Sequence, residues 1–415
     1  MGNEREDIQS GLTLLGVVGV SDPPRPESLA SVQSCQRAGI VVHMLTGDHI
    51  TTATAIAREV GIIRESTDSV VTAQELANMT ESDFDSMPLL PLVVARCSPQ
   101  TKVHMVNAIR RRKRLVAMIG DGVNDCLALQ FADVGIAMGV AGSEVARQAA
   151  EIVLADDKFS TIVGAIRDGR RLFENQVKLI LFLMSSNCAE VVVLVAGLAF
   201  LDKSGRPVYP LSPIQILWEN LITSAFPAFA YAHLKLSNLS LGLEPATSDI
   251  MDSPPKDIVS GVFGKEFVAD VLAYGLIIGT PPLCTFVIIV YALGGGNLGG
   301  DCDDGIDASC AIVYRARGTV FVTLTVLILI HAFEMKDSRR SIFRMDLLQN
   351  KPLLWSVVGG CFALLPTIYI PKLNVDVFRI SDISWEWGFC AAGIMFYLIG
   401  AECYKTLKRR YWRSK

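Results

Sequence analysis

In the stretch Arg114-Leu-Val-Ala-Met-Ile-Gly-Asp-Gly-Val-Asn-Asp-Cys126 an apolar run gives way abruptly to glycines and carboxylates. The run Leu115 to Ile119 predicts a short buried strand. Gly120-Asp121-Gly122 closes it in a tight turn. Asp121 and Asp125 then fall just past the carboxyl end of a strand, where open α/β sheets place their ligands. Two carboxylates four residues apart on such a loop suit a hard cation such as Mg²⁺. Asp and Gly are also ordinary turn residues, so a plain surface turn is the alternative. The unbroken string Gly120-Asp121-Gly122-Val123-Asn124-Asp125 favours the cation.

Upstream, strands and helices alternate. Leu12 to Val20 is expected as a buried strand, stopped by Asp22-Pro23-Pro24-Arg25, with a helix from Glu27 to Ala38. Ile40 to Leu45 is a second strand and Thr51 to Val60 a helix closed by Gly61. Pro91 to Ala95 is a third strand, and Lys102 opens a helix to about Arg110. Such alternation argues for a parallel sheet covered by helices. Thr46-Gly47-Asp48 ends the second strand with a hydroxyl and a backbone N–H able to hold a phosphoryl oxygen, or with a simple helix cap. Lys102 can neutralise a phosphoryl group beside a carboxylate. What raises it above a surface lysine is order: hydroxyl loop, lysine, paired aspartates, each after a strand. The basic run Arg110 to Arg114 reads as a solvated helix end rather than a nucleic-acid patch. Glu65 to Ser86 reads as an acidic surface loop and helix. Beyond the aspartates come a strand from Ala132 to Met138, a helix from Ser143 to Ala150 and a last strand from Glu151 to Leu154.

Composition adds a second half. The 415-residue chain is 51% hydrophobic, with a mean hydropathy of +0.39, too apolar for one water-soluble domain. A net charge of −4 predicts no nucleic-acid partner. Ten cysteines without a C-x-x-C pair argue against a zinc or thioredoxin-like site. Apolar residues gather after Val177. Ile162 to Phe173, with Arg167, Arg170 and Arg171, reads as a stalk at the cytoplasmic membrane surface. Six spans are expected: Lys178 to Phe200, Ser212 to His233, Val268 to Leu293, Thr319 to Phe333, Leu353 to Ile370 and Gly388 to Ala401. Charge orients them. Lys336, Arg339, Arg340, Arg344 and Lys351 fall in a cytoplasmic loop, and Lys405 to Lys415 form a basic cytoplasmic tail. Asp301, Asp303, Asp304 and Asp307 fall outside, with Cys302 and Cys310 able to pair in that oxidising compartment. Within the spans, Asn187 and Glu190 are three apart and share a helix face, and Asn220, Thr223 and Ser224 share another, followed by Pro227. A mid-membrane carboxylate is costly, so Glu190 is the leading cation ligand; interhelical hydrogen bonds are the alternative for the hydroxyls.

These strings resemble the type II P-type cation ATPases of the haloacid-dehalogenase-like superfamily, and most nearly the fungal-type (type IID) sodium/potassium-exporting pumps. The resemblance is carried by Ala95-Arg-Cys-Ser-Pro-Gln-Thr-Lys102, Gly120 to Asp125, Asp252-Ser-Pro-Pro255, Arg315-Ala-Arg-Gly-Thr-Val-Phe321, Phe333-Glu-Met and Arg339-Arg-Ser341. It implies a Rossmann-like α/β phosphorylation domain, then an α-helical transmembrane bundle. The domains it implies are 1–157 for phosphorylation, lacking the nucleophile strand, 158–177 for the stalk, 178–404 for six membrane helices and 405–415 for a basic tail. It implies Mg²⁺ and ATP as cofactors, with Thr46, Gly47, Asp48, Lys102 and Asp125 catalytic and Asp121 holding Mg²⁺. It implies Asn187, Glu190, Asn220 and Thr223 around a transported Na⁺, K⁺ or Li⁺, with Ca²⁺ the alternative. The setting is a lipid bilayer, expected to be the plasma membrane, with an internal membrane as the alternative. Ile119 and Ser224 depart from the family, which has Thr and, in calcium and sodium/potassium pumps, Asp there. Ser185-Ser-Asn-Cys-Ala-Glu190 is nearer the calcium-pump pattern.

No Asp-Lys-Thr-Gly-Thr, Thr-Gly-Glu-Ser or Lys-Gly-Ala string occurs in the chain. The expectation is therefore the C-terminal portion of a pump, inactive by itself for want of the nucleophile. A truncated, non-catalytic membrane protein is the second reading. A free-standing phosphatase is a third, with Asp22 its only candidate nucleophile and Pro23-Pro24 where a second aspartate is needed.

Overall fold

The computed structural model describes residues 13, 15–16, 18–19, 23–65, 69–229, 250–255, 263–300, 302, 308–347 and 350–411, but not the side chains of 223–229 and 352. They fall into two compact units, one holding the residues up to Ile166 with Met251–Pro255, the other the remainder from Arg167.

The first unit is α/β. Its elements are α1 (Ser28–Arg37), β1 (Met44–Leu45), α2 (Ile50–Glu59), β2 (Val70–Thr72), α3 (Ala73–Ala77), α4 (Glu81–Ser86), β3 (Val93–Ala95) and α5 (Pro99–Arg111). There follow β4 (Ala117–Gly120), α6 (Cys126–Phe131), β5 (Val134–Met138), α7 (Glu144–Ala149) and β6 (Ile152–Leu154). The strands form two parallel three-stranded sheets, ordered β1-β3-β2 and β4-β5-β6. Helix starts follow the sequence: Ser98 caps α5 through the Thr101 N–H with Pro99 at the first position, and Ser143 caps α7. Gly61 takes a positive φ of 77° just past α2, as expected of a helix-ending glycine. Leu45 from β1 packs on the cluster of Val106, Met118 and Leu129, so β1, α5 and β4 share one core.

Three expectations change here. Leu12 to Val20 gives no strand among its described residues, and Leu15 and Val18 are 99% and 87% exposed. A strand needs a neighbouring edge to take its backbone N–H and C=O groups, and no described strand pairs with this run. Within the acidic stretch, β2 was not expected. Its Val70-Val71-Thr72 is short, but its β-branched residues suit a sheet edge, and it pairs with β3 in register Val70 to Val93. The arginines at the end of α5 are not merely solvated. Arg111 holds Asp85 at 3.0 Å, and Arg112 donates to the carbonyls of Phe84 (2.8 Å) and Met87 (2.7 Å), tying α5 to α4.

The second unit is helical: α8 (Phe159–Gly197, whose first turns lie in the first unit), α9 (Pro213–Phe229), α10 (Lys265–Val287, continued as a π-helix to Leu293), α11 (Ala311–Glu334), α12 (Lys351–Tyr369) and α13 (Trp387–Tyr411). The stretches expected as stalk and first span form one helix: 39 residues reach ~58 Å, well beyond the ~30 Å of a hydrocarbon core. Among the described residues four helices are long and apolar enough to cross a membrane: α8, Lys265–Leu293, α11 and α13. Leu353–Tyr369 is a shorter apolar stretch, and the expected span to His233 runs outside the described residues. α11 is buried along most of its length, and Leu324, Leu327 and Ile328 are fully enclosed in the core. Cys302 and Cys310 form a disulfide. Of the expected basic tail, Lys405 to Tyr411 form the end of α13, and residues 412–415 lie outside the described residues. Lys405 and Lys408 are buried because carboxylates neutralise them: Glu334 pairs with Lys405, while Asp270 (2.5 Å) and Glu266 (3.1 Å) hold Lys408.

Candidate functional site

Two polar centres stand out, one in each unit. In the first, the strand-ending loops are stitched together by backbone. Cys97 N–H donates to the Thr46 carbonyl at 2.9 Å, and Arg96 N–H to that of Asp48 at 3.0 Å. Arg96 adopts a left-handed φ of 57° to do so. Thr46 Oγ1 donates to the Asp48 carboxylate at 2.8 Å and accepts from the Asp48 N–H at 3.2 Å, a compact turn that leaves Gly47 exposed. From α5, Lys102 Nζ donates to Asp125 Oδ1 at 2.5 Å, while Asp125 Oδ2 accepts from the Gly122 N–H at 3.3 Å. Asp125 is only 6% exposed, so the lysine offsets the cost of burying its charge. Gly120 makes this possible: a Cβ there would lie 2.5 Å from Asp125 Cβ. Asp125 thus ties Lys102 on α5 to the Gly122 backbone of the loop after β4.

Asp121 differs from Asp125. Its side chain is exposed, and among the described residues its carboxylate has no hydrogen-bond or ion-pair partner, while its backbone carbonyl accepts from the Ser143 N–H at 2.8 Å. No cluster of three or more His, Cys, Asp or Glu gathers among the described residues. One accessible carboxylate on a rigid loop still fits Mg²⁺, which keeps most of its waters and takes its remaining oxygens from phosphate. Burial pushes the Cys97 thiol up to about 11, so it is no thiolate nucleophile near neutral pH.

Asp157 is a centre that the sequence did not disclose. Its carboxylate accepts from three consecutive backbone N–H groups, Gly139 (2.6 Å), Val140 (3.0 Å) and Ala141 (2.7 Å), and its carbonyl accepts from Arg25 Nη1 at 2.5 Å. Those N–H groups hold the carboxyl below the usual range near 3.8. Asp157 fixes the loop after β5 much as Asp125 fixes the loop after β4.

In the second unit, Asn220 Nδ2 on α9 donates to Glu190 Oε2 on α8 at 3.0 Å and to its own helix at Ile216 O, 3.2 Å. Glu190 is 7% exposed, and its Oε1 is buried with no hydrogen-bond partner among the described residues. Asn187, expected beside it, is exposed on this chain; three residues turn a helix by roughly 300°, so the two side chains diverge by about 60°. The side chains of Thr223, Ser224 and Pro227 lie outside the described residues. Glu219 was missed. It is 0% exposed and immediately precedes Asn220 on α9. The signal was available, since a carboxylate in an apolar helix is itself a functional pointer. Deeper in the bundle His331 bonds Ser185 Oγ (2.8 Å) and Tyr397 Oη (2.7 Å), a satisfied polar core.

Comparison with known proteins gives these centres a context. Residues 208–407 match the family of the cation transporting ATPase C-terminus, and residues 2–133 match haloacid dehalogenase-like hydrolases. The chain is 45% identical to the sodium/potassium exporting P-type ATPase cta3 of Schizosaccharomyces pombe, over 98% of this chain and 40% of that protein. Sodium/potassium exporting P-type ATPase 5 of Saccharomyces cerevisiae is 43% identical, over 100% of this chain and 39% of its own length. Calcium-transporting ATPase 1 of Bacillus cereus is 35% identical, over 97% and 44%. The chain therefore spans well under half the length of the relatives it matches. With a haloacid-dehalogenase-like α/β part followed by apolar helices long enough to cross a membrane, the chain is an integral membrane protein and belongs to the P-type cation ATPase family.

Proposed function

We propose that the chain is the C-terminal part of an ATP-driven pump that exports a monovalent cation, Na⁺ with K⁺ or Li⁺ as alternatives, through an aspartyl-phosphate intermediate formed elsewhere in the full protein. The observation that carries this reading is the pairing of a buried membrane carboxylate with an amide across two helices, Glu190 with Asn220, leaving Glu190 Oε1 open to a ligand. Its support from relatives is that those 42–45% identical are named as sodium/potassium exporters, while the calcium-transporting ones stand at 32–35%. Ca²⁺ is the second reading, favoured by the Ser185 to Glu190 string.

In this reading Asp121 holds Mg²⁺, which supplies charge neutralisation at the phosphoryl group when bound. Thr46, Gly47 and Asp48 present a hydroxyl and backbone N–H groups to phosphoryl oxygens. Lys102 stands on Asp125 and is placed to turn toward the phosphoryl group when one arrives. Asn220 orients Glu190, and Asn187 and Thr223 complete the cation site once the remaining helices of the pump are present. Residues 1–157 are the phosphorylation domain, 158–177 the stalk and 178–404 six spans, in the plasma membrane. The 415-residue chain expressed alone forms no phosphoenzyme, because it contains no Asp-Lys-Thr-Gly-Thr. The test is phosphorylation from labelled ATP in membranes holding the full-length protein, with Na⁺, K⁺ and Ca²⁺ titrated separately. Stimulation by micromolar Ca²⁺ with no response to Na⁺ or K⁺ would sink the monovalent reading.

A further inference from the structure

At the end of the helical unit where α11 begins and α12 passes by a loop into α13, there is a cavity of ≈ 690 Å³, a volume that suits a small ligand. The Cys302–Cys310 disulfide just before α11 marks this end as the non-cytoplasmic one. The cavity wall is mixed: Ile312 and Val375 make it apolar on one side, and Arg315, Lys372 and Asp382 bring charge. Arg315 is already engaged, by the buried Glu386 and by the ring of Trp385, 5.6 Å away. Lys372 and Asp382 are both exposed and are not so engaged. Lys372 has no hydrogen bond or ion pair among the described residues, and the Asp382 carboxylate accepts only from Asn374 Nδ2, at 2.6 Å. Asn374 is buried and also bonded to the Ile368 carbonyl at 3.0 Å, so it holds that carboxylate in place. Two opposite charges therefore line one cavity without pairing with each other. A ligand of one sign is attracted by one and repelled by the other, whereas a ligand carrying both signs gains from each. The depth of the cavity says where such a ligand comes from. Tyr369 and Trp385 are about half exposed at this end, and Trp387 Nε1 donates to Tyr369 Oη at 2.8 Å. Exposed Tyr and Trp collect at the level of lipid headgroups.

We propose that this cavity binds the headgroup of a zwitterionic phospholipid, with the phosphate on Lys372, the ammonium on Asp382 and the glycerol backbone against Ile312 and Val375. The site uses none of the residues around Asp121 or Glu190, and it does not depend on which ion the pump carries.

The experiment is photo-crosslinking on the purified full-length pump. A phosphatidylethanolamine bearing a photoactivatable group on its glycerol is irradiated with the pump, and label on residues 371–382 is measured as unlabelled lipids compete. Dioleoyl phosphatidylethanolamine is expected to compete about tenfold better than dioleoyl phosphatidylglycerol, the weight of one charged hydrogen bond. Lys372→Gln is expected to raise the half-competing concentration of the phosphatidylethanolamine about tenfold. Asp382→Asn keeps an acceptor for Asn374 and removes the charge; it is expected to abolish the preference for phosphatidylethanolamine over phosphatidylglycerol, which a merely structural role would leave in place. Absence of competable label on 371–382 overturns the proposal, as does equal competition by the two lipids in the wild type. Both variants behaving within about twofold of wild type overturns it too. Glycerophosphoethanolamine, the same headgroup without chains, competing as well as the lipid would give the cavity to a soluble zwitterion and overturn the lipid assignment. If a variant does not accumulate in membranes, the wild-type comparison of the three competitors decides.

Discussion

The carboxylates of the α/β unit and those of the helical unit solve the same problem in opposite ways. Asp125 and Asp157 are buried at strand-ending loops and fully engaged, one by Lys102 and the Gly122 N–H, the other by three successive N–H groups. Loops have spare backbone donors, so an acid there fixes geometry and leaves Asp121 exposed for chemistry. Glu190 sits where the backbone donors are consumed by the helix itself. Its neighbours offer one amide, and an oxygen remains over. Where the helical unit neutralises its acids, at Glu334–Lys405 and Asp270–Lys408, it does so with whole side-chain charges; Glu334 Oε1 is also buried without a hydrogen-bond partner among the described residues, but a lysine charge sits beside it. An acid with surplus valence is therefore informative in the bundle, and an acid without partners is informative in the loops.

The comparison can be broken at each point. The largest effect is expected at Asp121. Asp121→Asn in the full-length pump should lower phosphoenzyme formation by about a hundredfold or more, since an amide is a poor partner for a hard cation. Near-normal phosphorylation at ordinary Mg²⁺ would reduce Asp121 to a turn residue. Next is the buried pair at the end of α13. Glu334→Ala strands Lys405 and should cost about 3–5 kcal/mol, read as loss of folded protein from membranes; the double change Glu334→Leu with Lys405→Met should restore much of it. Failure of that rescue would show that the pair does more than neutralise itself.

At Glu190 the expected effect is on ion affinity. Glu190→Gln should raise the half-saturating ion concentration about tenfold while leaving the protein folded. Unchanged affinity would place the site elsewhere. The smallest effect is the pH response of Asp157. Its carboxyl is held below the unfolded value near 3.8, so the stability it contributes is present above that value and lost as pH falls through its lower folded value. Amide exchange at Gly139, Val140 and Ala141, corrected for intrinsic rate, should accelerate as pH falls below about 4. Asp157→Asn should show that acceleration already at pH 5, and an unaltered profile would detach Asp157 from the loop.

Much of this was legible in the sequence because it depends on local pattern. The glycines around Asp121, the caps Ser98 and Ser143, and the alternation of strands and helices report short-range backbone preferences. The shortfalls were all long-range. Leu12 to Val20 has a strand's composition, but its described residues pair with no described strand. Asp157 reads as one of two adjacent aspartates, and nothing local marks it as the one that faces the loop after β5. Lys405 and Lys408 look like a solvated tail until α10 and α11 bring carboxylates to them. Glu190 and Asn220 were both singled out, yet their partnership depends on how α8 and α9 pack.

Composition, periodicity and turn chemistry by themselves determined that an α/β unit leads into apolar helices, and placed Thr46, Asp121 and Asp125 at strand ends and Lys102 at the start of the helix after a strand. Those properties follow from interactions within a few residues. Only the tertiary structure decided which carboxylates are satisfied and which keep valence to spare. Burial and partners are set by residues far apart in the chain, as in Lys102 with Asp125, Asn220 with Glu190 and Lys405 with Glu334.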